Sequence, residues 1–483
     1  MSGGGGRTEA IMGEIARLRA EREELDARIR FFEAQLRVGA ATSSSAAPPA
    51  GVSAKLHAMG LHAAGAGMDA GMIRRYSRHL LLPEFGVQGQ RRLSRSSVLV
   101  VGAGGLGSPV AMYLAACGVG CLGIVDGCNV ELDDLHRQTI HIEAYVGQPK
   151  VKSAAAACRS INSSIKVVEH HLKLKSKNAL DVVRQYDIVV DATNNLSSRY
   201  MLSDCCVLLD KPLVSASTLG LEGQISVYNH NGSPCYRCLF PNPPASGACQ
   251  SSSDNGVLGV VPGVLGSLQA LETIKVATAI GETLRGKMLI FDALSSRVKT
   301  VKIRTSSANC SVCGENATFS QHVFMMFDYE SFTRPPVPSA KPAAAAASQS
   351  AVPAAAAASA RVSCWEYKRL LDGGRPHVLL DVRPAHHFQI ASLPHALNVP
   401  LPELEERLPR LRDALAEVAD ATRGGRARQQ QRHCPVYFIC QRGGDSQAAV
   451  RTLRESGFPY ACAVAGGLEA WAREVDPSFP VYW

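Results

Sequence analysis

The sequence predicts an α/β protein with two folded domains of unequal size. Two separate stretches alternate short Val, Ile and Leu runs with helical patterns, which favours parallel sheets covered by helices. The chain of 483 residues is also too long for one hydrophobic core. Residues 39–67 and 334–360 are rich in Ala, Ser, Gly and Pro, a composition typical of linkers between folded parts.

These linkers divide the chain into four predicted parts. They are an N-terminal amphipathic helix with a flexible linker over 1–67, a first α/β domain over 68–333, an Ala/Pro linker over 334–360 and a smaller α/β domain over 361–483. In residues 14–36, apolar side chains recur at helical spacing among charges, which predicts the helix. That helix suits pairing with another helix and a plain surface position equally well.

Composition and charge restrict the function classes. The net charge of +9 comes from scattered basic residues, so we expect no direct nucleic-acid partner. The N-terminus resembles neither a signal nor a transit peptide, and no apolar run is long enough to span a bilayer. We therefore expect a cytosolic protein without a membrane partner. Fifteen cysteines, an odd number that includes two CxxC pairs, favour metal ligation and thiol chemistry over a disulfide framework.

The segment SSVLVVGAGGLGSPVAMYLAACGVG, residues 96–120, predicts a Rossmann-like nucleotide site. It reads as a buried strand, a glycine turn that includes Gly105, and an Ala-rich helix whose N-terminus suits a phosphate. A second strand ends at Asp126, where a carboxylate can bind ribose hydroxyls. These features alone fit a dinucleotide oxidoreductase and an ATP-using enzyme equally well.

Two cations after this strand favour ATP. Arg137 and Lys150 follow Asp126 in the chain, and ATP cleavage requires cations where negative charge develops on the phosphates. Hydride transfer needs little cationic charge beyond that which binds the pyrophosphate. A single basic residue would more often be an ordinary surface residue, but the order of these two cations after the glycine turn favours a phosphate-binding site.

The two CxxC pairs predict a structural zinc site. Cys235 with Cys238 and Cys310 with Cys313 supply the four thiolates of a closed tetrahedral site, which leaves no position for catalysis. Buried free cysteines and two redox pairs are the alternatives.

The segment VYFICQRGGDSQ predicts a reactive thiol in the second domain. A buried strand delivers Cys440 to a polar loop that precedes a helix, a setting that lowers a thiol pKa, and Arg442 adds positive charge. We therefore expect an exposed, reactive Cys440 rather than a buried structural cysteine. A phosphatase loop would carry Arg where Ser446 stands.

The first domain resembles the MoeB/ThiF and ubiquitin-activating-enzyme superfamily. The resemblance rests on RYSRHLLLPEFGVQGQRRL (75–93), GAGGLGSP, DLHRQ and the two CxxC pairs. It implies adenylation of the C-terminal glycine of a ubiquitin-like sulfur carrier, with ATP and Mg²⁺, in a homodimer with one structural Zn²⁺ per subunit. Arg78 would reach the phosphates of the neighbouring subunit. By position, the implied ATP-site residues are Gly105, Asp126, Asp133, Asp134, Leu135, His136, Arg137, Lys150, Asn194 and Asn195.

The sequence departs from this family at several positions. Asp134 stands where Asn is usual, and Asn194 stands where a carboxylate near the magnesium is usual. We expect Asp191 to compensate or adenylation to be slow, and we expect Asn194→Asp to speed carrier-dependent pyrophosphate exchange. Ser252 stands where many relatives carry a loop cysteine; Cys249 lies nearby, but no acyl-enzyme is assigned.

Residues 361–483 resemble a rhodanese domain through DVRP, CQRGGDSQ and GGLEAWA. The resemblance implies that Cys440 carries a persulfide, and His386 or His387 stands where Glu is common. The order of domains resembles the eukaryotic adenylyltransferase and sulfurtransferase family.

This family resemblance implies two candidate carriers, the small subunit of molybdopterin synthase and the ubiquitin-related modifier, of which one or both are served. It further implies a cysteine desulfurase as sulfur donor, with molybdenum cofactor biosynthesis and 2-thiolation of tRNA wobble uridine as the outputs. A partly inactivated scaffold and a conjugating enzyme with an acyl-thioester thiol are the rival hypotheses.

Overall fold

The structure is a computed structural model. It describes residues 68–243, 256–333, 360–375, 377–410, 413, 435–456, 458, 460–480 and 482. The helix predicted over 14–36 and the loop with Cys249 and Ser252 lie outside the described residues, as do 39–67 and 334–359 of the predicted linkers.

Within the described residues, eight strands form the sheet of the first domain. In chain order they are β1 Ser97–Val101, β2 Cys121–Val125, β3 Lys166–His170, β4 Ile188–Asp191, β5 Leu213–Leu219, β6 Glu222–Tyr228, β7 Lys287–Asp292 and β8 Arg297–Lys302. Their spatial order is β3-β2-β1-β4-β5-β6-β7-β8. The first five strands in this order are parallel, and the last three extend the sheet in antiparallel fashion. The order reverses beside β1, where α/β sheets bind ligands at the carboxyl ends of their strands.

Helices cover both faces of this sheet. They are α1 Ala70–Arg75, α2 Ser77–Leu80, α3 Gly86–Leu93, α4 Gly107–Cys117, α5 Lys150–Ile161, α6 Ser176–Val183, α7 Leu196–Leu208, α8 Tyr236–Leu239, α9 Val260–Thr278, α10 Gln321–Met326 and α11 Tyr329–Thr333. Short 3₁₀ turns occupy Leu132–Asp134 and Glu143–Tyr145. Helix α9 packs against α4 and β5, and α7 packs against α6 and α11.

The side chains of β1 alternate between two hydrophobic cores. Val98 and Val100 belong to one core with residues of α4, whereas Leu99 and Val101 belong to the other with residues of α6 and α7. A strand buried on both faces requires apolar residues at every position, since successive side chains point to opposite faces. This explains why the run SVLVV shows no polar alternation.

The second domain has its own five-stranded parallel sheet among the described residues. Its strands are β9 Arg361–Val362, β10 Val378–Asp381, β11 Ala396–Asn398, β12 Val436–Ile439 and β13 Ala461–Val464, in the order β11-β10-β12-β13-β9. Its helices include α12 Cys364–Asp372, α13 Ala385–Ile390, α14 Gly444–Glu455 and α15 Gly467–Glu474, and a 3₁₀ turn spans Leu401–Glu403. The strand β12 is central and buried at every position, so the residue that follows it emerges from the middle of the sheet.

The predicted α/β fold class is confirmed. Both sheets are built around parallel strands connected through helices, as the alternating pattern indicated. Among the helices that the structure describes, none combines the length and the apolar character needed to cross a membrane.

Candidate nucleotide, metal and sulfur-transfer sites

The glycine turn between β1 and α4 requires residues without a Cβ atom. Gly102 has φ +101°, and a Cβ there would lie 2.8 Å from the carbonyl oxygen of Ala192. A Cβ on Gly107 would lie 1.8 Å from the carbonyl oxygen of Gly102. Only glycine allows such close backbone approach. The turn therefore leads directly into the N-terminus of α4, where phosphate oxygens are favoured.

Asp126 fixes the shape of this turn from the end of β2. One carboxylate oxygen accepts a hydrogen bond from the Ala103 amide at 2.9 Å, and the other accepts from the Cys128 amide at 2.8 Å. Asp126 remains half-buried, and each carboxylate oxygen retains a lone pair for a further donor such as a ribose hydroxyl.

His141 supports the same turn, a role that the sequence analysis missed. Its Nε2 lies 2.9 Å from the carbonyl oxygen of Ala103, and its Nδ1 lies 2.9 Å from Oγ of Ser153. Because a carbonyl can only accept, Nε2 carries the proton and Nδ1 accepts from the hydroxyl. Burial lowers the pKa of His141, which favours this neutral form.

Asp134 holds the two predicted ATP-site cations together. Its carboxylate lies 2.7 Å from Nζ of Lys150 and 3.0 Å from Nη2 of Arg137, and it also accepts from Nε2 of Gln138 at 2.6 Å. Asp134 lies in the 3₁₀ turn after β2, and Lys150 begins α5. The buried carboxylate thus fixes cations from two elements at the edge where the glycine turn lies.

The cations keep some access to a ligand. The side chain of Arg137 is 29% exposed, whereas that of Lys150 is 11% exposed. Within the cluster of Asp134, Arg137 and Lys150 the cations exceed the carboxylate by one charge, which suits an anionic ligand. Asp133 and His136 are exposed neighbours, and Arg137 contacts the Asp133 carbonyl oxygen and Nε2 of His136.

The other predicted site residues lie at different places. Leu135 is half-buried beside Asp134. Arg78 is exposed on α2. Asn195 caps α7, since its side chain accepts from the Ser198 amide at 3.0 Å. The positions of these three residues are compatible with a nucleotide contact, but they provide no separate support for one.

Asn194 has a backbone role that the sequence analysis did not foresee. Its Nδ2 donates to the carbonyl oxygen of Thr218 at 2.9 Å, and its Oδ1 accepts from the Thr218 amide at 3.0 Å. Its φ of +50° is a conformation that Asn tolerates better than most residues. Both amide atoms therefore join the segment after β4 to the end of β5.

The expectation that Asp191 compensates for a missing magnesium ligand finds no support in the contacts of this carboxylate. Asp191 is fully buried, and its carboxylate accepts hydrogen bonds from the amide and hydroxyl of Thr193, from Oγ of Ser215 and from Nε of Arg199. Such a satisfied buried ion pair stabilises the ends of β4 and β5 and leaves the carboxylate no free face for a metal ion.

The four predicted zinc ligands lie together in one cluster. Their sulfurs all lie within 4.8 Å of one another. The Sγ distances are 3.7 Å for Cys235–Cys238, 3.6 Å for Cys235–Cys310 and 3.3 Å for Cys238–Cys313. A tetrahedron with Zn–S bonds of about 2.3 Å has edges of about 3.8 Å, so the cluster fits zinc closely. Hydrogen bonding, foremost from Cys235, lowers the pKa of Cys313.

A buried ion pair attaches this cluster to the domain. Arg237, between two of the cysteines, makes a two-point contact with the carboxylate of Asp204 on α7, and the hydroxyl of Tyr329 donates to the same carboxylate at 2.7 Å. The rings of Tyr200, Phe319, Phe327 and Phe332 surround the guanidinium at 4.8–5.4 Å. These contacts join the cysteine cluster to α7 and α11.

Cys440 lies in a cradle of backbone amides at the end of β12. Its Sγ accepts hydrogen bonds from the amides of Gly443 at 3.1 Å and Ser446 at 3.3 Å. Gly443 has φ +87°, which turns the loop around the sulfur. A Cβ on Gly467 would lie 2.3 Å from the carbonyl oxygen of Cys440, so Gly466 and Gly467, at the N-terminus of α15, pack directly on this loop.

The expectation of an exposed Cys440 is wrong. The residue is only 1% exposed, because the loop closes over the thiol to direct its amides at the sulfur. Arg442 is the exposed cation of this loop, and its Nε lies 3.4 Å from a carboxylate oxygen of Glu469. In this conformation the loop therefore shields Sγ from solvent.

Both predicted domains match known protein families. Residues 76–312 match the ThiF family, and residues 364–474 match the rhodanese-like domain family. The chain thus combines a ThiF-type domain with a rhodanese domain.

Relatives named for an adenylyltransferase and a sulfurtransferase activity match along 85% or more of this chain. The protein named adenylyltransferase and sulfurtransferase MOCS3 from Oryza sativa subsp. japonica is 60% identical over 480 residues, which cover 99% of this chain and 98% of that protein. The MOCS3 protein of Arabidopsis thaliana is 54% identical and covers 100% of both chains. That of Sus scrofa is 46% identical over 85% of this chain and 88% of that protein. The chain belongs to the MOCS3 family of adenylyltransferase and sulfurtransferase enzymes.

Proposed function

We propose that this enzyme adenylates the C-terminal carboxylate of ubiquitin-like sulfur carriers and then converts it into a thiocarboxylate. The carriers would be the small subunit of molybdopterin synthase and the ubiquitin-related modifier. The products would serve molybdenum cofactor biosynthesis and 2-thiolation of the tRNA wobble uridine. The observation that carries the first step is the joint placement of Arg137 and Lys150 around Asp134, beside the glycine turn.

In the first step, the carrier carboxylate attacks the α-phosphorus of ATP and pyrophosphate leaves. The amides of the glycine turn around Gly105 would bind phosphate oxygens, and Asp126 would accept from the ribose. Arg137 and Lys150 would stabilise the charge that develops on the phosphates. Mg²⁺ would neutralise phosphate charge and enter with ATP, since Asp191 and Asn194 already use their side-chain atoms within the protein.

In the second step, a persulfide on Cys440 attacks the acyl-adenylate. The terminal sulfur forms a bond with the carrier carbonyl, and AMP leaves with the electron pair of the broken acyl–oxygen bond. An external dithiol then reduces the acyl-disulfide, which releases the thiocarboxylate and returns the Cys440 thiol. The terminal sulfur of a persulfide lies about 2.05 Å from Sγ. This extension supplies the reach that the buried thiol lacks.

The remaining partners follow from the same proposal. A cysteine desulfurase would supply the sulfur to Cys440, and a homodimer would bring Arg78 to the phosphates of the neighbouring subunit. The four-cysteine cluster would hold Zn²⁺ and stabilise the end of the first domain without a part in the chemistry. We place the reaction in the cytosol.

Pyrophosphate exchange tests the first step. The full-length enzyme is incubated with ATP, Mg²⁺, labelled pyrophosphate and each candidate carrier, and the label should appear in ATP only when the carrier is present. A carrier without its C-terminal glycines is the matched control and should give none. If neither complete carrier supports exchange, the protein is instead a scaffold that has lost adenylation.

A further inference from the structure

A chain of hydrogen bonds connects a buried ion pair to the residue after Cys440. Arg383, which is 1% exposed, makes a two-point contact with the carboxylate of Asp381 at the end of β10. Its Nη1 donates to the hydroxyl of Tyr482, and that hydroxyl donates to Oε1 of Gln441 at 3.0 Å. The chain therefore ends at the first residue of the loop that cradles the thiol.

The hydrogen bonds of this chain run in one direction, from Arg383 through Tyr482 to Gln441. A guanidinium can only donate, so the hydroxyl oxygen of Tyr482 accepts and its proton is available to Gln441. The carbonyl oxygen of the Gln441 amide is therefore engaged, and its Nε2 must point elsewhere. That Nε2 is buried and has no hydrogen-bond partner among the residues that the structure describes.

A buried donor without a partner is costly, and such groups in native proteins require an explanation. The resting thiol already uses the amides of Gly443 and Ser446. A persulfide adds a second sulfur that carries the negative charge, and this atom needs donors of its own. Gln441 adjoins Cys440 and offers one.

We propose that Nε2 of Gln441 donates a hydrogen bond to the terminal sulfur of the Cys440 persulfide, and that Tyr482 is the positioning residue that directs this amide. The proposal rests on the proposed sulfur transfer through Cys440. It assigns a sulfur-binding role to a side chain of the loop, in addition to the backbone amides, and it makes Tyr482 part of the sulfurtransferase site.

The test measures sulfur transfer from thiosulfate to cyanide by the full-length protein. The Cys440 thiolate attacks the outer sulfur of thiosulfate and sulfite leaves; cyanide then takes that sulfur as thiocyanate and restores the thiolate. Gln441→Met keeps the side-chain length and removes the donor, whereas Gln441→Glu keeps the acceptor for Tyr482 but replaces the donor with a charged oxygen. Each should lower kcat at least about tenfold, the effect of one hydrogen bond to a charged group.

Tyr482→Phe separates positioning from folding. It keeps the ring and removes the hydroxyl, so it should lower kcat with little change in the KM for thiosulfate. The loss in all three variants should be larger at low pH, because a lost donor raises the pKa of the persulfide. A purely structural role would not move this pH profile. The matched control is Gln389→Glu, the same change at an exposed position of α13, and it should leave kcat unchanged.

Pyrophosphate exchange by each variant reports whether the first domain remains folded and active. Rates within about twofold of the unaltered enzyme for both Gln441 variants, with Cys440→Ala inactive, would overturn the role of Gln441 and leave sulfur transfer through Cys440 intact. Undiminished thiocyanate formation by Cys440→Ala would instead overturn the proposed function itself. A loss for the Gln441 variants without any change in the pH profile would also contradict a contact with the charged sulfur.

Discussion

Replacing Asn194 by Asp provides the sharpest test of how the residues near the nucleotide site are used. The wild-type amide makes two hydrogen bonds to the backbone of Thr218, which is 6% exposed. The substitution keeps the acceptor and replaces the donor with oxygen, so the buried Thr218 carbonyl faces a carboxylate. An unsatisfied buried carbonyl costs about 1–3 kcal/mol. A stronger bond from the Thr218 amide to the charged carboxylate offsets part of this, and we expect a net loss of about 1–2 kcal/mol.

This loss of stability at the Asn194–Thr218 pair determines the expected effect on activity. The Asn194–Thr218 pair joins the ends of β4 and β5, so Asn194→Asp should not accelerate carrier-dependent pyrophosphate exchange and should slow it. The sequence alone suggested the opposite, because a carboxylate is usual at this position in the family. The structure shows that the amide has a partner that a carboxylate cannot serve.

The assay combines denaturant unfolding of the full chain with pyrophosphate exchange. The matched control for stability is Asn195→Asp, the same change at the next residue. Its side chain caps α7 through an oxygen that Asp also provides, so its unfolding free energy should hardly change. An Asn194→Asp enzyme that is as stable as the unaltered protein and exchanges pyrophosphate faster would refute the reasoning and restore the role of a missing metal ligand.

Four further predictions follow from the sites. Lys150→Met should lower the rate of pyrophosphate exchange by about 10²–10³, the usual effect of removing one group that stabilises transition-state charge. Cys440→Ala should retain exchange and lose thiocarboxylate formation. Removal of metal by a chelator that competes for Zn²⁺ should lower the melting temperature, and Cys238→Ser should do the same, since the cluster fits a structural site. His141→Gln should flatten the fall in unfolding free energy at acid pH. In the unaltered protein, the unfolded chain binds a proton at His141 below the ordinary pKa of 6.5, whereas burial keeps His141 of the folded chain neutral. The contribution of His141 to the unfolding free energy is therefore complete above that pH and declines below it.

Each of these predictions has a contrary result. Unchanged exchange in Lys150→Met would remove this cation from the phosphate site, and loss of both activities in Cys440→Ala would contradict the division of labour between the domains. A melting temperature that is insensitive to chelation would show that the thiols hold no metal. An unaltered pH profile in His141→Gln would assign the acid sensitivity to other groups.

Features encoded by local spacing were predictable from the sequence. The glycine turn, each CxxC pair and the loop after VYFI depend on residues within a few positions of one another. The meeting of the two CxxC pairs, 75 positions apart, was predicted only because a closed zinc site needs four ligands. The alternation of apolar runs and helices likewise predicted the parallel strands of both sheets, because burial on both faces of a strand leaves a continuous apolar signal. It did not predict the antiparallel strands β6, β7 and β8.

Features that depend on distant residues were not predictable. Asp134 contacts Lys150, which lies beyond an intervening loop and begins a separate helix. Gln441 contacts Tyr482, which lies 41 positions later in the chain. The burial of Cys440 was also not predicted. Polar residues and glycines in its loop suggested exposure, whereas the backbone amides of the loop point inward to the sulfur. The amino-acid composition of a loop shows the polarity of its side chains, but it does not show where the backbone N–H groups point.

The most direct test of the proposed reaction is the intact mass of a carrier protein after incubation with the enzyme, ATP, Mg²⁺, a sulfur donor and a dithiol. We predict a mass increase that corresponds to replacement of one C-terminal oxygen by sulfur, which depends on both Lys150 and Cys440. An unchanged carrier mass for both candidate carriers, with an enzyme that carries a persulfide, would contradict the proposal that the two domains act in sequence on one substrate.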